Sequence, residues 1–183
     1  WSRCPACETI RREKEDAEKA ERDRIEKMRR WESKLGHSGI PDRFKNRTLD
    51  TYVADTPAKK RALDFSLEYA LNFGTKNSEH GRSALFVGKP GTGKTHLAVG
   101  IGLSVMSCGY SVLFFTVMRA IRRVKDTWCR DSVENESQAI AALVEPDLLI
   151  LDEVGVQFGS ETEKLIMFDI LNERYEKQRS CIL

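Results

Sequence analysis

The apolar residues of this chain form short continuous runs that alternate with stretches of helical spacing. Three runs, Ala84–Val87, Ser111–Val117 and Asp147–Asp152, are rich in aliphatic residues and predict strands. The second and third are continuously apolar, which predicts that they are buried within the sheet. A further strand is predicted to begin at Cys181. The intervening stretches predict helices beginning at Pro57, His96, Met118, Ser132 and Glu161. This alternation predicts an α/β fold in which helices flank a parallel sheet.

The first part of the chain has a different pattern. Residues 8–34 are almost wholly charged, with both signs mixed and without Gly or Pro, which predicts one long helix. Its thin apolar stripe consists of Ile10, Ala17, Met28, Trp31 and Leu35. Such a stripe is insufficient for a stable coiled coil. Two interpretations stay open: a solvated helix that links two parts of the protein, or a helix whose last apolar residues dock against a partner or the next domain.

A turn-rich lead-in follows the charged helix. Ile40–Phe44 and Thr48–Tyr52 place apolar and aromatic residues in extended segments before the helix that begins at Pro57. The sequence therefore predicts three parts: residues 1–7, which contain two cysteines; residues 8–38, a charged helix and linker; and residues 39–183, the α/β domain.

Glycines interrupt the chain between the predicted strand Ala84–Val87 and the next helix. They fit the pattern G-x-x-x-x-G-K-[ST], which binds phosphate when it lies between a strand and a helix. We expect a nucleotide to contact Gly88, Lys89, Pro90, Gly91, Thr92, Gly93, Lys94, Thr95 and His96. Backbone N–H groups of a glycine-rich loop can surround an anion. Lys94 would supply positive charge to the β- and γ-phosphates, and the Thr95 hydroxyl would be a ligand of Mg²⁺.

Two carboxylates, Asp152 and Glu153, end the third predicted strand. Unpaired carboxylates cost free energy to desolvate, so a buried strand needs a reason to end in this way. The carboxyl ends of strands are where open α/β sheets bind ligands. We therefore predict an ATPase that uses ATP and Mg²⁺. Asp152 would hold the hydration shell of Mg²⁺, Glu153 would be the base toward an attacking water, and Lys94 would assist catalysis.

Charge and hydropathy limit the possible partners. The net charge is +2, from 30 Lys and Arg against 28 Asp and Glu, so a nucleic-acid site must be local. The predicted helix Met118–Arg130 carries the densest basic cluster of the α/β domain: Arg119, Arg122, Arg123, Lys125 and Arg130. This cluster is either a solvated face or a contact for a nucleic-acid backbone. No apolar run approaches the ~18 residues of a membrane span, which favours a cytoplasmic protein without a membrane partner.

The five cysteines are odd in number and scattered, which argues against a disulfide framework. Cys4 and Cys7 have the spacing of half a zinc site, but two further ligands are not visible nearby. A redox pair and two incidental cysteines are the other interpretations.

From residue 39 onward the order of motifs resembles the AAA+ ATPases, and particular segments resemble the DnaC-type replicative helicase loaders. These segments are Gly39–Phe44 (Gly-Ile-Pro-x-Arg-Phe), Gly88–Ala98, Ser111–Val117, Lys125–Trp128 and Leu151–Gln157. The phosphate loop and the acidic pair by themselves specify only an ATPase. The Ile-Pro-x-Arg-Phe lead-in and the Gly-Val-Gln that follows the acidic pair narrow the resemblance to the loaders. The first residues of the chain, Trp1–Cys7, also resemble the loaders.

The resemblance implies an ATP-controlled protein that binds single-stranded DNA and delivers a hexameric replicative helicase to it. In such loaders an N-terminal zinc-binding or helical module binds the helicase, the AAA+ domains self-associate, and a basic helix lines the DNA path. These roles would fall on Cys4 and Cys7 with the charged helix, and on Arg119, Arg122, Arg123 and Lys125. Zn²⁺ would need the ligands that such loaders carry upstream of the position matching Trp1.

The resemblance also implies a strand order in which the fourth strand lies between the first and the third. The chain begins without Met and ends at Leu183, near the start of that strand, so we expect a fragment. We further expect Ala84–Val87 and Asp147–Asp152 to lack their shared neighbour, which would leave backbone donors unpaired. Residues 1–183 should then bind nucleotide weakly and hydrolyse it hardly at all. The sensor residue and the arginine finger of the family lie beyond Leu183.

Two other functions stay open. A transposition helper ATPase of the IstB kind is also AAA+, and it binds double-stranded DNA for a transposase. An adaptor would use its cysteine module and charged helix to bind a partner, with nucleotide as a structural ligand only.

Overall fold

A computed structural model describes residues 36–75, 81–154 and 159–183 of the chain. The charged helix predicted over residues 8–34 lies outside the described residues. So do the pair Cys4 and Cys7 and the Gly-Val-Gln segment 155–157. The zinc half-site and the docking stripe therefore stay predictions.

The described residues confirm the α/β pattern. The helices are α1 (Pro57–Asn72), α2 (Lys94–Ser107), α3 (Val117–Asp126), α4 (Glu136–Val144) and α5 (Glu161–Glu176). The strands are β1 (Val112–Thr116), β2 (Leu148–Asp152) and β3 (Ser180–Ile182). Short 3-10 helices, Asp42–Phe44 and Leu49–Thr51, occupy the lead-in, where the sequence predicted extended segments. Among the described helices, none combines the length and the apolar character needed to cross a bilayer.

Side-chain caps explain why the two helices between β1 and β2 differ from the prediction. The Thr116 hydroxyl accepts a hydrogen bond from the third N–H of α3, so this helix begins one residue earlier than predicted, and it ends at Asp126. Asn135 and Gln138 form a capping box at the start of α4, four residues after the predicted start at Ser132. The basic helix is therefore shorter than expected, and Arg130 lies outside it.

The sheet is parallel and has the strand order β1-β2-β3. The predicted first strand, Ala84–Val87, forms only one isolated bridge, between Ala84 and Ile182. Its backbone is nevertheless hydrogen-bonded further along, because the Phe86 N–H donates to the Leu183 carbonyl at 2.8 Å. This segment is thus an edge of the sheet, on the far side of β3 from β2.

The last residues of the chain correct one expectation. β3 lies between Ala84 and β2, which is the strand order that the resemblance implied. We expected Ala84–Val87 and Asp147–Asp152 to lack their shared neighbour. This expectation was wrong for the residues that pair with β3. The Ala84 N–H donates to the Cys181 carbonyl at 2.8 Å, and Leu148–Ile150 pair with Ser180–Ile182. The three residues of β3 can pair with both neighbours because a strand has hydrogen-bonding groups on both edges.

The core lies on both faces of β2. Leu148 and Ile150 pack with α1 and α2, whereas Leu149 and Leu151 pack with α3, α4 and α5. Successive side chains of a strand point to opposite faces, so this continuous apolar run supplies both layers. All four side chains are at most 1% exposed, as the sequence predicted for a strand buried on both faces.

A buried arginine fastens α5 to the amino end of the sheet. Arg174 is 1% exposed. Its guanidinium donates to five carbonyl oxygens and one sulfur, which belong to Leu143, Val144, Pro146, Asp147, Ser180 and Cys181. Burial lowers the pKa of Arg174 below its ordinary value. One charged group thereby satisfies the last carbonyls of α4 and joins them to β2 and β3.

Asp147 completes this end of the sheet. Its carboxylate accepts hydrogen bonds from the N–H and hydroxyl of Ser111, at 2.9 and 2.7 Å, and forms an ion pair with Arg179. Burial by itself would raise the pKa of Asp147. The hydrogen bonds from Ser111 and the charge of Arg179 outweigh burial and hold the pKa below its usual range.

Candidate nucleotide-binding site

The predicted phosphate loop lies at the carboxyl end of the Ala84 segment and leads into α2. Gly91 and Gly93 have φ angles of +79° and +92°, in the left-handed region that favours glycine. Position 93 needs glycine for a second reason, because a Cβ there would lie 2.6 Å from the Tyr52 ring. α2 begins at Lys94, so its N-terminal N–H groups and positive dipole end adjoin the loop. The sequence predicted this arrangement, which suits a bound anion.

Lys94 extends back across its own loop. Its ammonium group donates hydrogen bonds to the carbonyl oxygens of Gly88 and Lys89, at 2.7 and 3.1 Å. Phosphate oxygens would compete with these two neutral acceptors, and a charged acceptor makes the stronger hydrogen bond. The role of Lys94 as a cation for the phosphates stays a prediction.

Thr95 and Asp152 meet across the site although they are 57 residues apart in sequence. The Thr95 hydroxyl, in the first turn of α2, donates to the Asp152 carboxylate at the end of β2, at 2.9 Å. Both side chains offer oxygen, the ligand type that Mg²⁺ prefers. In residues 36–75, 81–154 and 159–183 no group of three or more His, Cys, Asp or Glu side chains could hold a metal ion. A two-oxygen set nevertheless fits Mg²⁺, which usually keeps several waters and binds phosphate oxygens as well.

Glu153 follows β2 directly and has an unusual backbone. Its φ is +62°, which is uncommon for a residue other than glycine, and its N–H donates to the Asp152 carboxylate at 3.0 Å. Adjacent residues of a regular strand point to opposite faces. Because the backbone turns at Glu153, its side chain need not point to the face opposite Asp152. The side chain is exposed at the carboxyl edge of the sheet, near Asp152.

The lead-in contacts the loop through two side chains. The Tyr52 hydroxyl donates to the Thr92 carbonyl at 3.0 Å. The His96 Nε2 atom lies 2.9 Å from the Thr48 carbonyl, and the His96 ring meets the Tyr52 ring edge to face, with centroids 5.2 Å apart. His96 was predicted to contact nucleotide, and the structure gives its ring a partner in the lead-in. Tyr52 was not predicted, because an aromatic residue before a helix carries no specific sequence signal.

The structure divides the predicted basic cluster. Arg123 makes two hydrogen bonds with Glu134, at 3.2 and 2.7 Å, and Lys125 makes one with Glu163 at 2.8 Å. The hydrogen bond from Lys125, followed by one from the Gly159 N–H, lowers the pKa of Glu163 below its ordinary value. Arg119 and Arg122 are exposed on the same helix, and no ion pair of either occurs within the described residues.

A groove of about 380 Å³ adjoins this helix. Its lining consists of one aromatic residue, three arginines, two hydroxyl residues and two carboxylates: Phe115, Arg119, Arg122, Arg123, Thr127, Ser132, Asp126 and Glu134. The guanidinium of Arg119 lies over the Phe115 ring, 5.1 Å from the centroid. The groove therefore combines an aromatic ring and hydroxyl groups with three arginines and two carboxylates, of which Glu134 is paired with Arg123.

The phosphate loop, the Thr95–Asp152 pair and the parallel sheet define a P-loop ATP-binding domain of the AAA+ type. Solved structures support this class. The DnaC helicase loader superposes with a TM-score of 0.68 at 29% identity, over 78% of this chain and 77% of the other. AMPPCP-bound DnaA from Aquifex aeolicus superposes with a TM-score of 0.63 at 23% identity, over 76% of this chain and 41% of the other, a likeness of fold.

The chain belongs to the family of IstB-like ATP binding proteins, whose model matches residues 15–183. It is 38% identical, over 80% of its length, to the replicative helicase loader DnaC of Buchnera aphidicola subsp. Baizongia pistaciae, and covers 58% of that protein. It is 35% identical, over 86% of its length, to the replicative helicase loader DnaC of Escherichia coli strain K12, and covers 61% of that protein. The chain thus spans about three fifths of the curated relatives that it matches.

Proposed function

We propose that this chain is the ATP-controlled part of a replicative helicase loader, which delivers a hexameric helicase to single-stranded DNA in the cytoplasm. The observation that carries this proposal is the hydrogen bond between Thr95 and Asp152 beside the phosphate loop. It joins the residues needed for ATP and Mg²⁺ in a chain whose relatives include DnaC loaders. Self-association through the AAA+ domains belongs to the same proposal.

The residues of the site would divide the work between binding and hydrolysis. The loop N–H groups and Lys94 bind the β- and γ-phosphates, and Thr95 and Asp152 hold Mg²⁺. Mg²⁺, when bound, neutralises charge on the phosphates. Glu153 accepts a proton from the attacking water. Its exposed position after β2, next to Asp152, supports this role.

We propose that single-stranded DNA binds along the groove at α3. Arg119 and Arg122 can neutralise phosphates because neither is engaged by a carboxylate within the described residues. The Arg119 guanidinium, which lies over the Phe115 ring, offers a planar group on which a base can stack. Arg123 and Lys125, which the sequence also proposed for DNA, already have carboxylate partners. We assign these two a larger part in holding α3 in place.

Arg122→Gln is expected to weaken binding of a single-stranded oligonucleotide about 3- to 10-fold at low salt. It should also reduce the slope of log affinity against log salt by about 0.7, the value for one lost phosphate contact on a single strand. Fluorescence anisotropy at several salt concentrations measures both quantities. Lys164→Gln removes the same charge from α5 and is the matched control. Equal slopes for the two variants would contradict a DNA site at this groove.

The partner is tested by affinity capture with the chain as bait. We expect a hexameric replicative helicase to be retained in the presence of ATP and to be lost with Lys94→Ala. The transposition helper is a second candidate, because the matching family model is that of IstB-like proteins. Retention of a transposase instead of the helicase would favour that candidate.

A further inference from the structure

The lead-in segment, defined as residues 38–52, runs from the edge of the sheet to the phosphate loop. At one end the Ser38 carbonyl accepts from the Phe114 N–H of β1 at 2.6 Å. Gly39 lies so close to this strand that a Cβ would come within 2.6 Å of the Phe114 carbonyl oxygen. The segment thus occupies the open edge of β1.

The middle of the lead-in is anchored in the core. Ile40 and Leu49 are 4% and 5% exposed. Leu49 packs so closely on α2 that a Cβ at Gly100 would lie 2.7 Å from its side chain. A displacement of residues 38–49 would therefore move Thr51 and Tyr52 as well, because the chain between them is short and turns through a 3-10 helix.

At the other end, Tyr52 sets the orientation of one peptide group of the phosphate loop. Its hydroxyl donates to the carbonyl of Thr92, and its ring lies against Gly93. No cis peptide bond occurs in the described residues. In a trans peptide the C=O and N–H point in opposite directions. Holding the Thr92 carbonyl toward Tyr52 therefore turns the Gly93 N–H away from the lead-in, where it is available to a phosphate oxygen.

His96 reinforces this contact from the helix side. Its Nε2 atom faces the Thr48 carbonyl, which can only accept, so the hydrogen lies on Nε2 and His96 donates. The Thr51 hydroxyl, 3.3 Å from the same atom, donates to the Thr48 carbonyl as well. The first turn of α2 is thereby hydrogen-bonded to the backbone of the lead-in at Thr48, which the 3-10 helix Leu49–Thr51 separates from Tyr52.

We propose that Tyr52 and His96 are positioning residues that make the nucleotide-binding shape of the phosphate loop depend on docking of the lead-in segment. The inference rests on the proposed ATP site and adds its regulation. Coupling between two sites is reciprocal. Docking of residues 38–52 favours nucleotide binding, and nucleotide binding favours docking to the same extent. Whatever the protein attaches before residue 38 can thus act on the loop without touching nucleotide.

The test uses Tyr52→Phe, which removes one hydroxyl and keeps the ring. We expect the Kd for Mg·ADP, measured by isothermal titration calorimetry, to rise about 3- to 10-fold, the effect of one hydrogen bond. Hydrogen exchange gives the second readout. Mg·ADP should slow exchange of the backbone amides over residues 40–52 in the unmodified chain, and much less in the variant.

Tyr69→Phe is the matched control. This substitution also removes one hydroxyl. The Tyr69 hydroxyl donates to the Arg82 carbonyl at 2.6 Å, at the amino end of the sheet and away from the phosphate loop. We expect a lower melting temperature for this control and an unchanged Kd. His96→Phe should resemble Tyr52→Phe, and the double variant should show less than the sum of the two effects, since both act through one contact. His96→Phe also serves if Tyr52→Phe does not fold.

The outcomes separate the inference from the proposed function. An unmodified chain that does not bind Mg·ADP overturns the ATP site and, with it, the inference. Binding that is equally tight in the unmodified chain, Tyr52→Phe and His96→Phe overturns the inference alone. A Kd raised in Tyr52→Phe, with unchanged nucleotide protection of residues 40–52, also overturns it, because the hydroxyl would then act without coupling.

Discussion

Glu153→Gln is expected to bind ATP as the unmodified chain does and to lower the already slow hydrolysis expected of residues 1–183 by at least a further ~100-fold, the usual contribution of a positioned base. Glutamine has nearly the shape of glutamate but cannot accept the proton of an attacking water. If the proposed function is correct, the variant should accumulate a complex that contains ATP and the proposed helicase partner. Single-turnover hydrolysis with excess protein, helicase and single-stranded DNA measures the rate, and gel filtration measures the trapped complex.

Two other variants make this experiment specific. Lys94→Ala should fail at the earlier step, with weak ATP binding and no trapped complex, because the loop loses its cation. Asp169→Asn changes an exposed carboxylate on the outside of α5 and should leave both steps unchanged. An unaltered partner complex in Glu153→Gln, with or without nucleotide, would support an adaptor in which nucleotide is only a structural ligand.

Arg174→Met is expected to lower the free energy of unfolding by roughly 3–5 kcal/mol. Methionine fills a similar space but leaves buried carbonyls without a donor, and each unsatisfied group costs about 1–3 kcal/mol. Domains of this size are stable by about 5–15 kcal/mol, so the variant should retain only part of its stability. Urea unfolding, followed by circular dichroism, measures the loss.

Arg179→Met is the control for the buried arginine. Arg179 also contacts Asp147, but both side chains of that ion pair are about one third exposed, at 34% and 32%. Exposed ion pairs contribute about 0–1 kcal/mol, so the control should lose far less stability. Similar losses in the two variants would show that the carbonyl network of Arg174 is not what stabilises this end of the sheet.

The lead-in contacts the phosphate loop from the side and so can influence how the loop binds nucleotide. Tyr52 of the lead-in binds the Thr92 carbonyl, and His96 joins the first turn of α2 to the Thr48 carbonyl of the lead-in. A loop whose peptide groups are already oriented loses less entropy when it binds phosphate. In a loader, this would let the N-terminal part of the protein alter ATP affinity when it meets a helicase.

Much of the candidate site was predictable because its signals are local. The glycine spacing before Lys94, and the carboxylates that end a continuous apolar run, each follow from a few consecutive residues. The strand order was correct by resemblance to AAA+ proteins. Ala84–Val87 was predicted as a strand, but only one bridge formed there. Its paired neighbour, β3, covers three residues, and Leu85 and Val87 stay 64% and 85% exposed.

The sequence by itself determined the class of fold, the phosphate loop and the acidic pair, since glycine spacing and hydrophobic periodicity act over short stretches of chain. Only the tertiary structure decided which charges are paired: Arg123 is paired with Glu134, whereas no ion pair of Arg122 occurs among residues 36–75, 81–154 and 159–183. It also decided that Arg174 is buried and that Tyr52 supports the phosphate loop from 40 residues away. These contacts depend on how helices and strands pack together, and periodicity along the chain carries no information about partners so distant in sequence.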